Sequence, residues 1–423
     1  MFRALRDAFK IPDLRKKLLF TMAILAIYRL GANIPIPGVS LEGLEQFFEG
    51  GIFGMLDLFS GGALSNFAVF SLGIMPYITA TIILQLLQII FPKLEKIAKE
   101  GETGRRKINQ IARYITIGLA LMQSTAMFFY FKAQPGVIVG EIWPMLFVVV
   151  ITLTAGTALI MWIGELITQK GIGNGMSLII FANIISRFPG YIGNSVSQWW
   201  PNDIHIIAIV LLIAIAVIIF IIIIQQGERK VPVQYAKQIR GRRVYGGRGT
   251  YIPIKVNQSG VIPVIFASSL LAFPATIAQF IQVPWVQKLA TIIGPPTAIG
   301  EIKPWYLTLY ALLILGFTYF YAAIAFNPED IADNFRKYGG FIPGIRPGKS
   351  TVNYLKNILN RVNLPGAIFL AIVALLPTAI LAFFNAPFQF GGTSILIAVG
   401  VALEFMKQLE AQLIMRNYEG FLK

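Results

Sequence analysis

Apolar positions gather along this chain into long runs separated by short polar stretches. Runs of membrane-span length lie near residues 18–36, 67–90, 111–131, 143–166, 175–194, 204–226, 259–282, 304–326, 364–384 and 393–412. A helix needs roughly 20 apolar residues to cross ~30 Å of hydrocarbon at ~1.5 Å per residue. The pattern therefore predicts ten transmembrane helices with both termini on one side. One apolar stretch does not fit. "MLDLFSGGALSNF", residues 55–67, is too short to span, is broken by Gly61 and Gly62, and stands just ahead of a full-length run.

Composition agrees with a polytopic membrane protein: 56% of the 423 residues are hydrophobic, 13% are charged and the mean hydropathy is +0.69. With no cysteine there is no disulfide framework, thiolate metal site or cysteine nucleophile, and the single histidine, His205, cannot build a zinc cluster alone. No catalytic, metal or cofactor-binding residues are expected. The basic N-terminus runs into apolar sequence from Leu18 without a small-residue cleavage pattern, so it predicts a retained first span.

The 36 lysines and arginines then set the orientation. Nearly all fall in segments 1–17, 91–113, 164–175, 225–258, 327–363 and 404–423, which lie on one side in a ten-span arrangement. Only Lys132, Arg187, Lys288 and Lys303 are assigned to the opposite loops, and Arg29 lies within the first span. This asymmetry predicts cytoplasmic termini and attributes the net charge of +16 to the cytoplasmic face. Loops 227–258 and 327–363 are long, basic and glycine-rich; β-branched and aromatic residues flank Gly246-Gly247, which predicts a hairpin turn there. Two readings fit such loops: an anchor at anionic headgroups, or a docking surface for an acidic or phosphate-bearing partner.

The chain also repeats itself. Gly73-Ile74-Met75-Pro76-Tyr77-Ile78 opens the second run and Gly260-Val261-Ile262-Pro263-Val264-Ile265 the seventh. Gly175-Met176-Ser177-Leu178-Ile179-Ile180 and Gly392-Thr393-Ser394-Ile395-Leu396-Ile397 open the fifth and tenth. Matches at equivalent places in two five-span halves predict an inverted-topology repeat, with a pathway at the interface between halves. The positions it marks are apolar: Ile78, Ile180, Ile265 and Ile397, with Ile74 and Ile184 one helical turn from Ile78 and Ile180. A constriction of isoleucines would dewet and block ions, yet yield to something large. The same six residues would also serve as plain packing or lipid-facing positions. An ion-coupled solute transporter with inverted repeats is the alternative function, and it calls for a polar midplane site.

"FSGGALSNFAVFSLGIMPYITATIILQLL", "GIGNGMSLIIFANI", "GVIPVIFASSLLAFPATIA", "NPEDIADNFRKYGGFIPGIRPGK" and "GGTSILIAVGVALEFMKQLE" resemble the SecY family of bacterial protein-translocation channels, over essentially the whole chain. The resemblance implies an all-α polytopic fold: ten transmembrane helices in two inverted five-helix halves around an hourglass pore. It implies a cytoplasmic segment 1–17, a first half 18–200 with a plug at 52–66, a second half 201–412 and a cytoplasmic tail 413–423. Phe53, Met55, Leu56, Leu58, Phe59, Gly61 and Gly62 fall in the implied plug, the glycines giving its hinge freedom. The pore ring falls on Ile74, Ile78, Ile180, Ile184, Ile265 and Ile397. Thr79 and Phe273 match lateral-gate positions, and Arg242, Arg243 and Arg346 match docking arginines. The implied partners are the small membrane subunits SecE and SecG, the SecA motor ATPase, the ribosome, signal peptides, unfolded preproteins and membrane lipid, but not DNA. The implied setting is the bacterial plasma membrane. "GIRPGKS" resembles a phosphate-binding loop but has three residues, one a proline, where four are required, so no nucleotide site is expected.

Overall fold

The computed structural model describes residues 2–40, 57, 60–133, 136–138, 141–199, 204–235, 238–240, 243–245, 249–280, 283–294, 303–384 and 392–421. The first half contains α1 (Phe2–Lys10), α2 (Pro12–Gly31), α3 (Met75–Ile90), α4 (Pro92–Lys99), α5 (Glu102–Lys132), α6 (Ile142–Lys170) and α7 (Gly175–Trp199). Then come α8 (Ile204–Gln226), the strands β1 (Glu228–Tyr235), β2 (Gln238–Arg240), β3 (Arg243–Tyr245) and β4 (Gly249–Lys255), and α9 (Ile262–Phe280). The chain continues through α10 (Pro284–Ile293), α11 (Pro304–Ala325), α12 (Pro328–Tyr338), β5 (Gly340–Phe341), α13 (Lys349–Phe384) and α14 (Gly392–Phe421).

The ten predicted runs correspond in order to α2, α3, α5, α6, α7, α8, α9, α11, α13 and α14. Among the described residues, α5, α6, α8, α13 and the stretch Pro304–Tyr338 are long and apolar enough to cross a membrane by length and composition, and the bent pair α3–α4 makes a sixth. Of the others, α9 counts among the described residues only as the shorter apolar helix Ile262–Leu271, and α2, α7 and α14 carry charged or polar side chains. Asp13, Arg15, Lys16 and Lys17 occupy the start of α2, Asn183 and Arg187 lie inside α7, and Glu404, Lys407 and Glu410 inside α14.

Packing repeats from one half to the other. In the first, α2 packs on α6, α3 on α5, α5 on α6 and α6 on α7; in the second, α8 packs on α13, α9 on α11, α11 on α13 and α13 on α14. Each of these pairs in one half has its counterpart in the other, and the halves meet where α7 touches α14 and α8 and where α9 touches α5. The backbone repeats too. Gly73 and Gly260 both adopt left-handed φ, +56° and +63°, one turn before a proline in the second position of α3 and α9. A side chain would strain either turn, and proline suits a first helical turn whose N–H groups need no partner.

The second span starts later than expected: residues 61–74 are turns, and α3 begins only at Met75. This apolar stretch is held instead by the exit of α2, through Ile36 N–H to Phe67 O (3.0 Å) and Val69 N–H to Ile34 O (3.0 Å). Phe67 takes φ +41°, rare for an aromatic residue, and is fully buried edge-on against Phe131 at 5.4 Å. Beyond Phe91, extended ahead of Pro92, the chain bends by 107° into α4.

The two basic loops form one folded unit. β1 pairs antiparallel with β4 (Val231 opposite Ile252) and also with β5 of the other loop (Gln234 opposite Phe341), in the order β4-β1-β5. Val231, Val233, Ile254, Phe335, Ile342, Leu355 and Leu359 make its core. The hairpin expected at Gly246-Gly247 is corrected: β3 pairs with β2, Arg240 opposite Arg243, and β4 pairs with β1. Among the described residues, β3 and β4 therefore belong to separate sheets. Gly246 and Gly247 themselves lie outside the described residues.

Candidate functional site

Four helices bring the repeat-marked isoleucines together. Ile74 caps the start of α3 and Ile78 follows one turn on, its N–H bonded to Ile74 O at 3.1 Å. Ile180 and Ile184 project from α7, Ile265 from α9 and Ile397 from α14. All six belong to one cluster of buried residues, with Ile74, Ile184 and Ile397 at 1% exposure, Ile180 at 6%, and Ile78 and Ile265 at 8%. None lies on the outer surface of the bundle, as a lipid-facing position would. The cluster draws on both halves, so any separation of α3 and α7 from α9 and α14 must open it.

Ala63, Ala68 and Phe70, from the turns ahead of α3, belong to the same cluster. Of the plug positions, Phe53, Met55, Leu56, Leu58 and Phe59 lie outside the described residues, while Gly61 and Gly62 are described at φ +68° and +92°. A side chain on Gly61 would collide with Asn183 and Arg29, and one on Gly62 with Arg187. These glycines therefore permit close approach to α2 and α7 as well as a left-handed turn.

Polar groups beside the cluster were not singled out from sequence. Arg187 Nη2 donates to the Asp57 carboxylate and to Ser65 Oγ (2.8 Å), and Ser65 N–H donates to Asp57 Oδ1 (2.8 Å). Arg29 Nη1 donates to Gly61 O at 2.6 Å. Arg187 is thus a residue inside α7 with a buried acid as partner, which corrects its assignment to an outer loop. The available signal was an arginine within span length of apolar sequence, a costly placement that demands a partner. Farther along the same bundle, Arg113 of α5 grips Glu165 of α6 in a two-pronged pair, Nε to Oε1 at 2.7 Å and Nη2 to Oε2 at 2.6 Å.

The remaining predicted positions lie apart from the cluster's centre. Thr79 is half-buried on α3, with its hydroxyl donating to Met75 O (3.0 Å) of its own helix. Phe273 belongs to α9, which touches α5 of the other half, but its side chain lies outside the described residues. Arg242 also lies outside them, and Arg243 is described only as the β3 residue opposite Arg240. Arg346 is exposed on the turn between β5 and α13, where its carbonyl accepts from Thr351 Oγ1 (3.0 Å). That turn is closed by its own backbone and leads from a two-residue strand, unlike a phosphate-cradling loop.

Comparison with known proteins gives this architecture a relative at every level. A family model described as SecY matches residues 68–406. The protein translocase subunit SecY of Streptomyces lividans is 49% identical over 448 residues, covering 100% of both chains. A solved structure concerning the SecY plug domain, described as stabilising the closed state of the translocation channel and maintaining a membrane seal, superposes with a TM-score of 0.65 at 20% identity, covering 94% of this chain and 92% of that one. Sec61 in the canine ribosome-channel complex from the endoplasmic reticulum superposes with a TM-score of 0.62 at 18% identity, with the same coverage of 94% and 92%. The fold, the full-length identity and the family match agree: this chain belongs to the SecY family.

Proposed function

We propose that this chain is a protein-conducting channel: a passive pore that passes unfolded secretory polypeptides across the bacterial plasma membrane and releases transmembrane segments sideways into lipid. The convergence of six isoleucines, from helices of both halves, into one buried cluster carries the reading. Branched aliphatic side chains exclude water and ions from a narrow neck, and they offer a passing chain no hydrogen bond to select for or against. Such a gasket suits a substrate of any sequence. Residues 52–66 are the plug, of which Ala63 packs against the isoleucines. The lateral gate runs between α3 and α5 on one side and α9 and α11 on the other, lined by Thr79 and Phe273.

The chain supplies the path but hydrolyses nothing. Movement is driven from the cytoplasm by the SecA motor ATPase or a translating ribosome, held at Arg242, Arg243 and Arg346. The exposure of Arg346 and the joining of both basic loops in one sheet support a shared landing surface. SecE and SecG are the expected small partners in the membrane, and the basic segments put both termini in the cytoplasm. The division into halves at 18–200 and 201–412 is supported by the repeated packing. The apolar character of the repeat-marked positions argues against the transporter alternative, which needs polar groups there.

Reconstitution with a motor ATPase, ATP and a secretory precursor tests the reading. The expected result is ATP-dependent protection of the precursor from added protease; a precursor left fully accessible contradicts it.

A further inference from the structure

A second closure stands beside the apolar one, built from charge. Asp57 is buried, and its carboxylate is engaged on both oxygens: Oδ2 by Arg187, Oδ1 by Ser65 N–H (2.8 Å) and by Ser60 Oγ (3.2 Å). Arg187 also holds Ser65 Oγ, and Arg29 holds the carbonyl of Gly61, so two arginines clamp Asp57, Gly61 and Ser65. Arg29 sits in the last turn of α2 and Arg187 on α7, three residues beyond Ile184 of the isoleucine cluster and on the same helix face. Both arginines lie inside helices of the membrane bundle, where an unpartnered guanidinium is costly, so each has a strong reason to keep its contact.

We propose that Asp57, Arg187 and Arg29 form an electrostatic latch that positions Asp57 and the Ser60–Ser65 turn against the isoleucine constriction in the resting state. The inference rests on the channel reading above and adds its regulation. The anchoring helices α2 and α7 both belong to the first half, so the latch does not join the two halves. Separation of the halves widens the constriction without breaking it. Outward movement of the segment breaks it, and opening therefore has two separable steps: a graded apolar one and a directional polar one. The residues act by positioning the segment, since the latch is defined by contacts within this chain and not with a translocating polypeptide.

The chain has no cysteine, so a single one at Ala63, fully buried in the cluster, reports release of the segment through its rate of labelling by a water-soluble maleimide. In the reconstituted complex, Asp57→Asn and Arg187→Gln are each expected to raise the labelling of Ala63→Cys and the resting ion conductance by about tenfold, because the first leaves the half-buried Arg187 and the second the buried Asp57 without its counter-charge. Charge exchange, Asp57→Arg with Arg187→Asp, is expected to bring both readouts back to within ~2-fold of the parent, which a purely structural role would not do. Where a single variant fails to accumulate, Ser65→Ala removes one contact only and is expected to raise labelling by about 2-fold to 3-fold. Unchanged labelling in Asp57→Asn and Arg187→Gln, or no recovery on charge exchange, overturns the latch. Ile78→Gly with Ile397→Gly serves as the control: if it too fails to conduct, the channel reading is at fault, and labelling of Ala63→Cys still decides the latch.

Discussion

At Ile180 and Ile184, α7 contributes two aliphatic side chains to the buried apolar cluster proposed as the constriction; at Arg187 the same helix contributes a guanidinium to Asp57. Both neighbourhoods are buried in the bundle, but they resist opening differently. The isoleucines act by excluding water, an effect proportional to area and indifferent to direction. Their contact weakens gradually as the halves part and can re-form around a new occupant. The ion pair depends on geometry and on a low local dielectric, and fails abruptly once water reaches it. A seal that must yield to many substrates is well served by the first kind, and a segment that must return to one position by the second.

A variant that touches neither neighbourhood has the largest expected effect on transport and separates driving from sealing. Arg346→Glu reverses an exposed charge on the turn between β5 and α13 and is expected to abolish motor-driven secretion, with resting conductance and membrane insertion of the channel unchanged. Normal secretion in that variant would dissociate the turn from the motor. Next in size, removal of residues 55–65 takes away Asp57 and the seated segment but leaves the six isoleucines. Planar-bilayer recordings should show a leak of about tenfold above rest with only a modest loss of transport, because the apolar neck still limits flow; a silent channel would make the segment an ordinary loop. The smallest change expected is at Ile184→Val, which removes one methylene from a fully packed position. Denaturation should report a loss of ~0.5–1.5 kcal/mol, with conductance nearly unchanged. A large leak there would mean that shape complementarity, rather than apolarity, makes the seal.

Hydropathy alone located all ten long helices, because water exclusion by lipid is a local property of each run. It misjudged where helices end. α13 begins at Lys349, well before the apolar run at 364, because Leu355, Ile358 and Leu359 continue the helical spacing against the sheet of β1, β4 and β5. α3 begins late because Gly73 and Phe67 take left-handed backbone and the apolar residues between them pack as turns. The isoleucine cluster was legible through the repeat, since equivalent glycines and prolines fix equivalent helix starts. Strand pairing around Gly246-Gly247 was not, because partners are chosen by the whole ribbon and by β5, far along the chain. Arg29 stood out as a charge within a span and Arg187 was assigned to an outer loop, and nothing local in the sequence joined them to Asp57 and Gly61.

The resting ion conductance of the Ile78→Gly, Ile397→Gly channel in planar bilayers tests the central claim most directly. One substitution falls in each half, and both remove apolar bulk from the buried cluster. The account predicts a steady leak about tenfold or more above the parent channel, since a widened and wetted neck no longer excludes ions. A conductance equal to the parent's would show that the isoleucines pack the bundle without closing a path through it.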